Sequence, residues 1–399
     1  MLSKDKKFNL LMLLASGRSA PYCIYGAGKF TKEIIAFLQE NHLPLPDFIF
    51  DDRPSLKKIA DVDVLPEQEA SFENISSIIL GTDTWQTAMR ERLDKINPRK
   101  EILDITHTAD EESPPATIYS DDKIKLFLEG DMKPWTEGYW DYRNMMFEKA
   151  VNTPDVIDYF RRKQLPGDYG FRLCERIIEY PWLFSKLEDR NSKILDAGSI
   201  LNFRYLLEHP VLKNKKLSIL TLAPEGNCFF DKSINYLYED LRNIPFQNTY
   251  FDEIICISTL EHINMDNTIY GEEKLSGKTH DGVPDFAYAD VIKEFIRILK
   301  PCGKIYITVP YGKFENHGFF QQFDRKMLEK ITDMFSEAGT FETDFFRYFP
   351  DGWRFISRED CDDAESFNPH TGRGWKDDFA AHSRGICAIE FKKNKTGIS

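Results

Sequence analysis

The chain has 399 residues, which at about 100–200 residues per domain predicts two or three domains. Its 52 Lys and Arg against 65 Asp and Glu give a formal net charge of −13, with no compensating basic block, which argues against a duplex nucleic-acid binder or a polybasic membrane binder. Apolar residues reach 42% and aromatic ones 14%, too rich in core-forming side chains for a disordered chain. Seven cysteines stand without a CxxC pair, the pattern of reduced thiols rather than of a disulfide frame or a zinc site. No stretch approaches the ~20 apolar residues of a membrane span, so a cytoplasmic location is expected.

The short apolar run Leu10–Ala15 follows Lys4, Lys6 and Lys7. It reads as a helix covering the first domain rather than a secretory leader, because a strand begins almost at once at Tyr22. That strand, Tyr22–Tyr25, ends in the turn Gly26-Ala27-Gly28. Phe30, Ile34, Phe37 and Leu38 then fall on one face of a helix. A second strand, Phe48–Phe50, ends in Asp51-Asp52, about where a dinucleotide fold places its ribose-binding acid. A third, Ser77–Leu80, runs into Gly81-Thr82 and a further helix carrying Trp85, Met89 and Leu93. This predicts a small parallel α/β unit with Gly26, Gly28 and Asp51 as the nucleotide site. Thr31 stands where a third glycine belongs, and a tight turn with no ligand is the competing reading. The segment resembles the N-terminal nucleotide-sugar-binding domain of bacterial sugar O-acyltransferases, and the similar domain fused to some sugar C-methyltransferases. The resemblance implies nucleotide-sugar binding by residues 1–108.

From Asp110 to Pro115 the composition is that of a linker. Trp135, Tyr139, Trp140, Tyr142 and Arg143 then precede helical patterning from about Asn144 to Leu187, broken at Pro166-Gly167 and at Pro181. Residues 109–190 are therefore expected to be a linker and several short helices covering the next domain.

Residues 191–399 open on the strand Lys193–Asp196 and Gly198. Leu217–Leu222 is a second strand, and Phe251–Ser258 another that ends at Thr259-Leu260-Glu261-His262. The helix through Ile292, Phe295, Ile296 and Leu299 leads into the strand Lys304–Pro310. Two antiparallel strands, Phe341–Phe349 and Ile386–Lys392, are expected to close the sheet. Repeated strand–helix alternation predicts a doubly wound sheet, whose ligands sit outside the carboxyl ends of its strands.

Four segments in order, LDAG at 195–198, DLRNIPF at 240–246, FDEIICISTLEHI at 251–263 and LKPCGKIYITVP at 299–310, resemble the motifs of class I S-adenosylmethionine-dependent methyltransferases over residues 170 to 395. The resemblance implies a seven-stranded Rossmann-like domain that binds S-adenosyl-L-methionine. Asp196, Gly198 and Ser199 would then line its methionine end, Glu225 its ribose, Asp240 and Leu241 its adenine, and the edge at Ser258 its open side. Two features depart from the pattern. Ser199-Ile200-Leu201-Asn202 replaces the later glycines, and the ribose acid is displaced to Glu225 beyond Ala223-Pro224.

Methylation of a hydroxyl needs a proton acceptor. His262, beside Glu261, and His317 are the candidate bases; a purely structural Glu261-His262 is the alternative. No HxH or HxxxH pair is present, so no metal is expected. Two long insertions shape the acceptor site: 265–290, with Tyr270, Glu272, Glu273, His280 and Asp281, and the stretch with Trp353, Arg354, His370, Arg373 and Trp375. Tyr270, Asn316, Gln321, Trp353 and Arg354 are the expected substrate contacts, aromatic faces beside hydrogen-bonding groups that suit a sugar. Lys29, Arg143, Arg354 and Arg373 are the cations expected to meet an anionic nucleotide sugar. The resulting expectation is methyl transfer to the hydroxyl of a nucleotide-linked sugar or a surface-glycan precursor of the capsule or O-antigen kind. The competing expectations are a non-catalytic nucleotide- or cofactor-binding scaffold and a methyltransferase with a non-sugar acceptor.

Overall fold

The structure, a computed structural model, describes residues 21–40, 43–52, 54, 56–75, 77–82, 89, 92–93, 101–103, 119–222, 228–229, 232–266, 283–368, 371–376, 378 and 382–395. The expected helix at 10–15, the linker at 110–115, Glu225, Tyr270, His280 and His370 lie outside them. The chain divides into two compact units, Met1–Ser113 with Phe230–Leu237, and Pro114–Phe229 with Tyr238–Ser399.

In the first unit β1 (Tyr22–Tyr25) leads through the glycine turn into α1 (Lys29–Glu40), followed by β2 (Ile49–Asp51), the strands β3 (Lys58–Ile59) and β4 (Val62–Pro66), β5 (Ser77–Leu80) and β6 (Glu101–Leu103). The strand order is β3-β4-β2-β1-β5-β6. β1 lies parallel between β2 and β5, and β3 and β4 are an antiparallel pair unforeseen in the sequence. Tyr22 and Ile24 pack with Ile34, Leu38 and Ile49 on one face, while Cys23 and Tyr25 pack with Phe50, Ile78 and Leu80 on the other. Both faces of β1 are therefore covered, as a central parallel strand requires.

The second unit begins with α2 (Asp121–Glu129), α3 (Tyr139–Asn152), α4 (Pro154–Arg161) and α5 (Arg176–Lys186). Pro181, expected to break the helical pattern, instead lies inside α5. Proline removes the hydrogen bond to the carbonyl four residues back, here that of Ile177, and the Tyr169 hydroxyl donates to that carbonyl at 3.0 Å.

The sheet then forms from β7 (Ser192–Ala197), β8 (Lys215–Thr221), β9 (Asn235–Tyr238), β10 (Phe251–Ile257) and β11 (Leu299–Pro310), with α6 (Arg204–Leu207) after β7 and α7 (Tyr288–Ile298) before β11. A short antiparallel pair, β12 (Glu315–Asn316) and β13 (Gln321–Gln322), precedes α8 (Arg325–Ala338), β14 (Gly339–Phe349), β15 (Gly352–Ile356), α9 (Arg358–Cys361) and β16 (Gly385–Lys393). The order is β15-β14-β16-β11-β10-β7-β8-β9. β8, β7, β10 and β11 run parallel, and β16 and β14 close the end antiparallel, as expected.

The described residues place eight strands in this sheet, one more than the seven expected. The extra strand is β15, which turns back on β14 in the register Tyr348↔Trp353 and Phe346↔Phe355. Chain order reverses at β7, with β8 on one side and β10 on the other, which makes the carboxyl ends of β7 and β10 the place where a sheet of this kind holds its ligand. No helix among the described residues is long and apolar enough to cross a membrane.

Candidate active site

Asp196, at the end of β7, is fully buried. Its carboxylate accepts the amides of Ile200 at 3.1 Å and Leu201 at 2.8 Å. The expected cofactor acid thus folds its own loop. Gly198 and Ser199 have φ of 113° and 65°, and a Cβ on Gly198 would overlap the Thr259 side chain. Glycine is required at 198 both for conformation and for contact with the β10 loop. Ser199 bears the second left-handed turn without being glycine, and its buried Oγ has no hydrogen-bond partner.

At the end of β10 the Ser258 amide bonds Thr308 O and Oγ1 at 3.0 and 3.1 Å. Its hydroxyl donates to Glu179 Oε1 at 2.5 Å, and the Thr308 hydroxyl to the same oxygen at 2.6 Å. Glu179 is completely buried and also paired with Arg176. These two α5 residues, absent from the sequence-based site, tie the helical cover to the strand ends.

Glu261 is 4% exposed, and its Oε2 has no partner. Burial first, with the charges of Glu179 and Glu175 adding, pushes its carboxyl up to about 8. His262 holds the Phe319 carbonyl through Nδ1 at 2.7 Å; a carbonyl only accepts, so Nδ1 carries the proton. His317 is 8% exposed, with Nε2 2.8 Å from the Ser366 hydroxyl and its ring stacked on Phe320. Burial lowers both imidazoles to about 4, with neighbouring cationic charge adding to the effect.

Asp240 is clamped by Arg242, whose Nε lies 3.0 Å from both carboxylate oxygens and whose Nη2 lies 2.6 Å from Oδ2. Partial burial works to raise this carboxyl, but the Arg242 hydrogen bonds prevail and hold it below the usual range. Leu241 beside it is buried.

The expected substrate contacts among the described residues are each engaged within the protein. Trp353 is fully buried and donates to the Leu173 carbonyl at 3.0 Å, so its ring packs the core beside Tyr348 and has no face to offer a sugar. Gln321 is equally buried, its amide closed on the Asp285 backbone by bonds of 3.0 and 2.9 Å. Asn316 accepts the Gly318 amide within its turn. Arg354 is paired with Asp351, and Arg373 lies 3.5 Å from Glu315.

The helical cover carries Arg143, one of the cations expected to meet an anionic nucleotide sugar. Tyr139 and Arg143 stand one turn apart on α3. The Tyr139 hydroxyl and Arg143 Nε are buried without partners. The Arg143 guanidinium lies 4.0 Å over the Trp140 ring, and its one hydrogen bond runs to Cys174 Sγ at 3.8 Å. A guanidinium held so, without a carboxylate, is incompletely satisfied. No group of three or more His, Cys, Asp or Glu among the described residues is arranged to hold a metal ion.

In the first unit Gly26 has φ 100°, and Asp51 Oδ2 accepts the Ala27 amide at 2.8 Å, so this acid shapes the glycine turn. A Cβ on Gly28 would meet nothing within 4 Å, which leaves room beside the backbone. Thr31 bonds the carbonyls of Gly26 and Gly81 at 2.5 and 3.1 Å. A Cβ on Gly81 would overlap its hydroxyl.

No family model matches the chain, and no curated protein does. Among solved structures it is similar to a SAM-dependent methyltransferase from Methanosarcina mazei, with 14% identity over 54% of this chain and 98% of that one and a TM-score of 0.31. It is also similar to the N-methyltransferase NodS from Bradyrhizobium japonicum, crystallised with S-adenosyl-L-homocysteine, at 12% identity over 62% and 97% with a TM-score of 0.31. A third is 1,6-didemethyltoxoflavin-N1-methyltransferase from Burkholderia thailandensis, at 13% identity over 72% and 98%, again with 0.31. Likenesses of this size carry no assignment of activity.

Proposed function

We propose that the second unit is an S-adenosylmethionine-dependent methyltransferase and that its acceptor is a sugar hydroxyl. The observation that carries the reading is a convergence. Three of the four motif segments, remote in sequence, lie on the adjacent parallel strands β7, β10 and β11, and polar atoms without partners flank the end of β7 and the end of β10.

Those atoms, together with the Tyr139 hydroxyl and Arg143 Nε of α3, would suit the cofactor. Tyr139 and Arg143 offer donors for its carboxylate, and Glu261 offers a buried acceptor for its ammonium group. Ser199 stands ready for either role, and Leu241 with the Asp240–Arg242 pair would border the adenine. When bound, the cofactor supplies an electrophilic methyl group on a sulfonium. The protein must orient the acceptor and receive its proton.

The sugar acceptor is supported by the first unit, whose central parallel strand ends in a glycine turn with open space at Gly28. Nucleotide-sugar binding at Gly26, Gly28 and Asp51 would follow the general rule that ligands sit at such strand ends. The scaffold reading is favoured by one observation: Asp196 and Asp240 are both engaged within the protein.

Calorimetry with S-adenosylmethionine and S-adenosylhomocysteine tests the reading, and no heat from either ligand refutes it. Methyl transfer to a panel of nucleotide sugars then separates enzyme from scaffold. Transfer to non-sugar acceptors alone would refute the sugar half.

A further inference from the structure

Two buried carboxyl groups, those of Glu179 and Glu261, are set against the same strand ends, and the protein treats them differently. Glu179 Oε1 accepts the hydroxyls of Ser258 and Thr308, and its Oε2 is paired with Arg176, so both oxygens are engaged. Glu261 stands in the turn Leu260–His262 that follows β10; it is 4% exposed and its Oε2 has no partner. An ionised carboxyl in that position would be a buried charge without a counter-charge, so the acid keeps its proton instead.

The loops after β7 and β10 touch, since a Cβ on Gly198 would overlap Thr259. Each holds a buried polar atom without a partner, Ser199 Oγ on one and Glu261 Oε2 on the other. Burial bears most on Glu261; after it come charges of the helical cover, with Glu179 and Glu175 opposing ionisation and Arg176 favouring it. From β10 the Cys256 thiol stands near, held well above its usual range by burial and by the charges of Glu261 and Asp196. α7, packed on the same turn, carries Tyr288, bonded to the Met327 carbonyl, and the pairs Asp290–Lys293 and Glu294–Arg297. β11 ends beside Tyr311, bonded to Asp362, and β13 adds the neutral amides of Gln321 and Gln322. His262 in the turn itself and His317 in the hairpin before β13 are lowered to about 4, chiefly by burial, so both rings are already neutral near pH 7.

We propose that Glu261 admits the ammonium group of the cofactor by giving up its own proton, so that each molecule of S-adenosylmethionine or S-adenosylhomocysteine bound sends one proton to solvent. The inference rests on the methyltransferase reading. The O–H bond of the Glu261 carboxyl breaks, its electron pair stays on oxygen, and the proton passes to water and buffer; no bond of the ligand changes. The ammonium then supplies the positive charge that the buried carboxylate lacks, through a charge-assisted hydrogen bond. Binding therefore depends on pH. The empty protein holds this proton up to about 8, so below that value a fall in pH opposes its release and weakens binding.

Calorimetry of the full chain at pH 7, in two buffers of different ionisation heat, counts the protons. S-Adenosylhomocysteine should release about one per molecule bound, and its Kd should fall about tenfold from pH 6 to pH 7, as one released proton requires. 5′-Methylthioadenosine, which keeps the adenosine and lacks the ammonium group, should release none. Glu261→Gln preserves the shape of the side chain; it should bind S-adenosylhomocysteine without releasing a proton and with the same Kd at both pH values. A binding heat indifferent to the buffer, equal release with 5′-methylthioadenosine, or undiminished release in Glu261→Gln overturns the inference and leaves the methyltransferase reading in place. Wild-type protein that binds neither S-adenosylmethionine nor S-adenosylhomocysteine defeats both. Should the variant fail to fold, the proton count and the pH dependence of the wild type decide alone.

Discussion

Replacing Glu261 with glutamine should stabilise the protein, and increasingly so as the pH rises. In the unfolded chain this carboxyl ionises near 4.5, whereas in the folded protein it keeps its proton until about 8. Between those values the unfolded state binds fewer protons than the folded one, so wild-type stability falls with rising pH across that window and levels off above it. A gap of about 3.5 units at 1.36 kcal/mol per unit is on the order of 4–5 kcal/mol once the pH exceeds both values, and about 3 kcal/mol at pH 7. The amide carries no such cost and preserves the shape of the side chain. Urea unfolding of both proteins at pH 5, 7 and 8.5 measures the difference. The curves should lie close together at pH 5 and separate at pH 8.5, with the variant the more stable. Parallel pH–stability curves would refute the reasoning, because they would mean that Glu261 is solvated or paired in the folded state.

Arg143→Met should weaken S-adenosylhomocysteine binding about 10–100-fold, the worth of a charged hydrogen bond, and change stability little, since no carboxylate is left behind; calorimetry and thermal unfolding check the two halves. Trp353→Ala should cost ~3–5 kcal/mol of stability, as buried large-to-small changes do, and leave the acceptor KM of the surviving folded enzyme unchanged. A raised KM without loss of stability would return this ring to the substrate site.

The strands of the motif region were legible because buried parallel strands read as continuous apolar runs: Ile254, Ile255, Cys256 and Ile257 are all essentially inaccessible. The carboxyl-end loops were legible for a related reason, since the chain must turn there and the glycine at 198 marks the place. Glu179 was not, because its partners Ser258 and Thr308 lie 79 and 129 residues away, and no local pattern encodes such a pairing. Trp353 was misjudged on residue type. Aromatic rings serve cores and sugar sites alike, and burial decides between them. Thr31 departed from the glycine fingerprint with a physical reason that lies on a neighbouring strand rather than in the helix that carries it.

That last substitution links two distant positions. The Thr31 hydroxyl occupies part of the volume that a side chain at 81 would need, so the threonine and the glycine at β5's end fit one another. A change at 81 alone meets a clash, and removal of the threonine alone opens a void and frees two buried carbonyls. A Cβ at 81 would also come within 2.7 Å of the backbone oxygens of Gly26 and Tyr25, so the glycine is held there by the end of β1 as well as by the threonine, and exchange at 31 alone would not make room for a side chain.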